Sequence, residues 1–202
     1  IGFGSDKTWR IHPAFDFQTT YDSNVNREPP GQRNEDIIFR YIPSIEIIRK
    51  GSQLEALLGY EMNFEEYLRD SDQNAFNHIA RTSIKYARHK LKANLDETFS
   101  WIRAYPSSEQ SERRTILINE VKPEIQYRIT PKFSVSSIYR NYLFQYKESA
   151  LEEYSYDVND IGGRLYYHFT PKLDFYVQGS ATMIDYFESA FFNSHGYSIL
   201  AG

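Results

Sequence analysis

Cysteine is absent from the 202 residues, which removes disulfide scaffolds and thiolate metal sites together. Glycine is sparse at ten residues, so neither a fibrous repeat nor a low-complexity chain fits. Charge of one sign does not dominate: the formal net charge is -4, and nothing points to a nucleic-acid partner. No apolar run approaches the roughly 20 residues of a membrane-spanning helix. No basic-then-apolar leader is visible either, and the chain opens IGFGSDKTW without Met, as a mature or excised sequence would. Hydropathy alone therefore describes a soluble protein. One class of membrane protein escapes hydropathy, because transmembrane β-strands alternate apolar with polar residues and leave no long apolar window.

What the chain does have is alternation. Trp9, Ile11, Phe15 and Phe17 alternate with Arg10, His12, Asp16 and Gln18. Ile37, Phe39, Tyr41, Ile45 and Ile47 follow, and then Leu54, Ala56, Leu58, Tyr60, Met62 and Phe64. No segment holds a helical period for long, so the chain is read as all-β. Strands are expected at about 8–21, 36–48, 53–67, 76–88, 91–103, 115–129, 132–146, 156–169, 172–186 and 195–202. Most are more than twice the usual globular length of about 5–6 residues.

The connections alternate in kind. Tight turns fall at Arg49-Lys50-Gly51, His89-Lys90, Thr130-Pro131-Lys132 and Thr170-Pro171-Lys172. Longer polar loops fall at 22–35, 68–75, 104–114, 147–155 and 187–194. The turns are about forty residues apart, and YRITPKFS (127–134) and YHFTPKLD (167–174) are two copies of one phrase. Each unit is a hairpin of two long strands.

Such hairpins build either a soluble sandwich or small barrel with the apolar face inward, or an outer-membrane barrel with that face toward lipid. Strand length, the short-turn and long-loop asymmetry, and aromatics at strand ends favour the second. Those aromatics are Trp9, Tyr86, Trp101, Tyr127, Phe133, Tyr167, Phe169 and Phe175. The opposite face would carry Arg10, Asp16, Arg40, Glu46, Glu61, Arg81, Lys85, Lys92, Asp96, Glu120, Lys122, Glu124, Arg128, Arg140, Asp160, Arg164 and Asp174. A wide wet lumen accommodates such a mixture of charge. Three prolines, Pro13, Pro43 and Pro123, lie inside strands and are expected to sit at bulges. Glu97 falls in the apolar register, where a bulge or a protein contact is expected to relieve it.

TTYDSNVNRE (19–28), leaving the first strand, together with the two Thr-Pro-Lys turns and GGRLYYHFTPKLDFYVQGSA (162–181), resembles the family of bacterial outer-membrane proteins known as beta-barrel porin 2. The resemblance implies a transmembrane antiparallel up-and-down β-barrel over 1–202, in the outer membrane of a Gram-negative envelope. Family members are longer, and many sit in exopolysaccharide export clusters beside a periplasmic export protein. The chain stops at SHGYSILAG without a terminal aromatic, so it is expected to be the N-terminal part of a larger barrel.

The expected function is an outer-membrane pore, non-enzymatic, conducting a secreted exopolysaccharide. The alternatives are a general diffusion porin, or a barrel anchoring a larger envelope assembly. Partners would be outer-membrane lipid, polysaccharide and a periplasmic export or envelope-assembly protein. Tyr142, Tyr146, Tyr154, Tyr156, Tyr166, Tyr176 and Tyr186 are read on the polar face, where a Tyr ring can stack on a sugar and its hydroxyl can hydrogen-bond. Arg140 and Arg164 stand among them, to meet acidic sugars or to pair with Asp160 and Asp174. The candidate lumen contacts are thus Arg140, Tyr142, Arg164, Tyr166 and Tyr176.

No catalytic, cofactor or metal residue is assigned. His12, His78, His89, His168 and His195 are scattered without ligand spacing. Ser194, His195 and Ser198 read as a polar loop entering a strand. The oxygen-rich run 21–36 lacks calcium-loop spacing, and Glu148, Glu152, Glu153 and Asp157 read as a solvated acidic loop. Gly162-Gly163 precedes a strand, so it is taken as a bend or close approach in the wall and not as a phosphate loop.

Overall fold

The computed structural model describes residues 8–25, 31, 33–105, 113–170, 172–188 and 193–202. Ten strands form one antiparallel sheet in strict sequence order. They are β1 (Thr8–Asp22), β2 (Asp36–Lys50), β3 (Leu54–Tyr67), β4 (Ala75–Arg88), β5 (Leu91–Ala104), β6 (Arg114–Arg128), β7 (Phe133–Tyr146), β8 (Tyr156–Thr170), β9 (Leu173–Tyr186) and β10 (Ser194–Ala201). Two short 3-10 turns, Ser71–Gln73 and Ser149–Tyr154, sit in the longer loops. Each strand meets its expected position to within two residues. Among the described residues β1 and β10 each pair on one side only. The strands meet only their neighbours in the ladder, so among the described residues no second sheet packs on this one as in a sandwich.

The register sorts the residues by face. Phe17, Tyr41, Phe64 and Phe76 follow one another across β1–β4 on one face, and Trp101 of β5 stands on it opposite His78. The first four form a run of ring contacts, with centroids 5.3, 6.1 and 6.2 Å apart. At the short-turn end of the same face stand Trp9, Tyr86, Tyr127, Phe133, Tyr167 and Phe175. This apolar face is uncovered: Phe15 is 65% exposed, Ile161 52% and Val177 56%. Every charged residue assigned to the polar face by alternation falls there in the ladder.

The buried apolar cluster is small and lies at the long-loop end, where Val25, Ile38 and Tyr67 meet. Asp36 organises that end as well. Its carboxylate accepts the backbone N–H groups of Ile37, Arg69 and Asp70 at 2.7–3.1 Å. Further along, the Tyr105 hydroxyl donates to the Val25 carbonyl at 2.5 Å, across eighty residues of chain. Val25 and Tyr105, just beyond their strands, are thus held over the polar face beside Ile38 and Tyr67.

The prolines do not sit at bulges. The β1–β2 ladder runs unbroken through Pro13 and Pro43, and the β5–β6 ladder through Pro123. On its other side β2 skips residues 42 and 43 against β3 and resumes in the same register. β6 does the same at 122 and 123 against β7. In an antiparallel strand a residue directs its N–H and C=O to one neighbour. The missing donor of Pro43 therefore faces β3, that of Pro123 faces β7, and that of Pro13 faces the open edge of β1. Local loss of pairing replaces the extra residue of a bulge. Glu97 is likewise in regular register, between Thr82 and Val121 on the apolar face, without the expected flip. Among the described residues the register shifts only between His168 and Thr170, at the second Thr-Pro-Lys turn; Pro171 itself is outside the described residues.

Candidate functional site

The polar face of β6–β9 carries the five candidate residues, and the structure divides them into two groups. Arg140 and Tyr142 belong to the first. The Arg140 guanidinium donates to Glu120 at 2.7 Å and to Asp160 at 3.1 Å, and it lies 5.4 Å from the centroid of the Tyr142 ring. Both its acidic partners come from neighbouring strands, so the cation is neutralised within the wall. Above it, toward the long loops, Tyr142, Phe144, Tyr156 and Tyr186 pack ring against ring at 5.4–6.1 Å. Tyr146 joins this strip through Phe144. Tyr154 does not: it lies in the 3-10 turn, off the sheet.

Arg164, Tyr166 and Tyr176 form the second group, four residues along β8 from Asp160, or roughly 13 Å. Arg164 stands 5.5 Å from the Tyr166 ring and 4.9 Å from that of Tyr176. It donates to Gln178 at 2.8 Å and to the Tyr166 hydroxyl at 2.7 Å. Asp174, the acid that alternation offers as its partner, is bonded to His168 instead. Arg164 is thus fixed between two rings and meets no carboxylate among the described residues.

A contact the sequence did not announce joins the two Thr-Pro-Lys hairpins. The Ser134 hydroxyl lies 2.8 Å from Nε2 of His168, and Nδ1 of His168 lies 2.8 Å from the Asp174 carboxylate. An acceptor at Nδ1 places the ring proton there and leaves Nε2 to accept from Ser134. The order is that of a nucleophile, a base and an orienting acid. Chemistry at Ser134 is nevertheless blocked, because the residue is 2% exposed and the space beside it holds about 20 Å³. The same ring forms part of a larger cavity of about 600 Å³, lined by Lys92, Gln126, Arg128, Tyr166, His168 and Asp174. Pro131 and Thr170 of the two turns stand at its rim, and the His168 N–H donates to the Lys132 carbonyl at 2.8 Å, tying one turn to the next.

The repeat carried the signal for this site. Aligning YRITPKFS with YHFTPKLD makes Arg128 equivalent to His168 and Ser134 to Asp174. Each is a cross-strand pair on the polar face, Arg128–Ser134 and His168–Asp174. Two repeats side by side bring the four together.

A third cluster closes the loop end. Glu65, 7% exposed, accepts from Arg40 at 2.9 Å and from Arg113 at 2.5 Å. Arg113 also donates to the Tyr67 hydroxyl and the Gln73 carbonyl. Beyond the strands, Glu35 accepts from the Tyr21 hydroxyl at 2.6 Å and from Arg69 at 2.8 Å. Those two bonds, the tyrosine first, hold its carboxyl below the ordinary value.

Polarity inverts near the loop end of β7–β8. Tyr139, Asn141, Asp157 and Asn159 stand on the otherwise apolar face and bond one another at 2.5–3.1 Å. Asp157 is therefore part of a strand and not of a solvated acidic loop. The remaining histidine and serine candidates stay apart. Ser198 bonds Ser180 at 2.7 Å on the polar face, while His195 faces the other way opposite Met183. At Gly162 an added Cβ would lie 3.1 Å from the Gly179 carbonyl, which bears out close approach in the wall. The oxygen-rich run 21–36 falls partly outside the described residues. No family model matches the chain, and no curated protein matches it.

Proposed function

We propose that the chain is part of an outer-membrane β-barrel pore, with its apolar face against lipid, and that it conducts a secreted exopolysaccharide. The observation that carries the reading is the uncovered apolar face, banded by aromatics at both ends, with charges gathered on the other. A contiguous apolar surface of this kind marks a membrane or a partner. Strands of 14–15 residues, at barrel tilt, rise roughly 35 Å, enough for an apolar band about 25 Å tall with wet extensions. The short turns would then be periplasmic and the loops extracellular.

Within the wall, paired charges keep the lumen wet without strong ion selectivity. The Tyr142–Tyr156–Tyr186 strip offers flat rings to a sugar chain. Ser134 is sealed, so the protein is read as non-enzymatic. Asn159 lies eight residues beyond Tyr167, roughly 20 Å higher, near the upper edge of the lipid band. The outward polar cluster fits that level.

Heat-modifiable gel migration and detergent dependence test the barrel, and a freely soluble monomer would sink it. Single-channel recording with oligosaccharides, together with surface polysaccharide in a deletion strain, tests the cargo. Passage of small solutes with normal polysaccharide at the surface would make the protein a general diffusion porin.

A further inference from the structure

We infer that the 600 Å³ cavity at the turn end is an anion subsite selecting carboxylated sugar units, which makes the cargo an acidic polymer; this deepens the pore reading and rests on it for its biological setting. The argument begins with charge. On the polar face Arg40 is paired with Glu65, Arg81 with Glu61, Lys122 with Glu120, and Arg140 with Glu120 and Asp160, while Arg10 and Lys85, away from the cavity lining, form no ion pair among the described residues. Lys92 and Arg128, which line the cavity, have no ion pair and no side-chain hydrogen bond among the described residues. Arg164, behind Tyr166, has none to a carboxylate. The acid of the cavity, Asp174, is occupied by His168, and His168 by Ser134 as well. The relay holds the one lining carboxylate on His168; its charge remains, so the lining carries the two cations Lys92 and Arg128 against the single anion Asp174.

Geometry agrees. Lys92 is paired across the ladder with Gln126, so Arg128, two residues on, is its diagonal neighbour at about 7–8 Å. A carboxylate seated between them can take one guanidinium fork and one ammonium. Tyr166 stands beside that seat, its ring flanked by Arg164 at 5.5 Å and by the near-parallel His168 ring at 6.2 Å, and it offers a sugar ring bearing the carboxylate its edge and hydroxyl. Phosphate would satisfy the cations alone, whereas a uronic acid uses the ring as well.

The test is binding of a short oligogalacturonate to the detergent-solubilised protein, measured by calorimetry beside a maltooligosaccharide of equal length and inorganic phosphate. The expected result is that only the oligogalacturonate binds, more weakly as salt rises, and that Lys92→Gln with Arg128→Gln weakens it at least tenfold. Lys122→Gln, at a paired cation, serves as the folded control and leaves binding unchanged, and exchange of the pair as Lys92→Arg with Arg128→Lys restores much of it. Equal binding of the neutral oligomer, phosphate binding as tightly as the uronate, or an unaltered double variant would each overturn the inference. Loss of binding in Lys122→Gln would do so too. Bilayer recording separates the two readings. Conductance without acid preference removes the subsite, whereas uronate binding by a protein that forms no channel removes the pore.

Discussion

The Ser134 hydroxyl stands 2.8 Å from Nε2 of His168, so the second residue past one Thr-Pro-Lys turn is bonded to the second residue before the next. Because β7 lies between β6 and β8, this bond and the His168–Asp174 contact lock adjacent repeats in one register. They also turn an imidazole and a carboxylate toward the cavity in a fixed orientation.

Ser134→Ala is expected to destabilise the fold by about 0.5–1.5 kcal/mol, the worth of one side-chain hydrogen bond, read from the urea midpoint in lipid or detergent. A fluorophosphonate probe should leave Ser134 unlabelled, since the hydroxyl is sealed. Stoichiometric labelling that disappears in Ser134→Ala would make this an enzyme.

Glu65→Gln leaves Arg113, whose side chain is 8% exposed, without its anion. Removing one partner of such a buried pair is expected to cost about 3–5 kcal/mol. Arg81→Gln breaks a pair whose side chains are 53% and 31% exposed and should change stability by less than about 1 kcal/mol. Equal effects in equilibrium unfolding would contradict the distinction between a sealed loop end and an open wall.

Lipid contact has a signature in the sign of two substitutions. Ile161→Arg, on the apolar face, is expected to cost about 2–4 kcal/mol in a bilayer; on a water-facing surface it would change stability by no more than about 0.5 kcal/mol. Glu97→Leu should do the reverse and raise stability in lipid, by up to about 2 kcal/mol. Neutral outcomes in both, measured by folding into liposomes, would place this face in water.

Acid should loosen the loop-end tie before the sheet. The Glu35 carboxyl is held below its ordinary value by Tyr21 and Arg69, so its contribution is complete above the unfolded value, about 4.3. It declines as pH falls through the lower folded value. The Tyr21–Glu35–Arg69 contacts are exposed, so the effect is local: faster proteolysis of the 23–35 loop below about pH 4, with strand protection intact. A Glu35→Gln variant should show that faster cleavage at neutral pH, and no difference between the two proteins would dismiss the tie.

Alternation made the sheet legible because the period of two and the short turns are local properties of the chain. Strand bounds and the face of each charged residue assigned by alternation followed from them, whereas Asp157 stands on the apolar face. The prolines mislead for the same reason. A sequence shows that a donor is missing but not which neighbour it would have faced, and pairing on the other side keeps the register. Arg164 and Asp174 lie on one face as alternation required, yet alternation gives no order of preference among polar neighbours. His168 reaches Asp174 across the β8–β9 ladder, and Arg164 settles between two rings.

By itself the sequence determined an all-β chain of long hairpins, one face apolar and the other charged, because side-chain direction in a strand is fixed by position. The tertiary structure decided which charges neutralise one another and which are left over. That depends on residues brought together from neighbouring strands, most of them twenty or more apart in the chain, and it is why two copies of one turn phrase, meaningless apart, border an open cavity with Lys92 and Arg128 unpaired when they stand side by side.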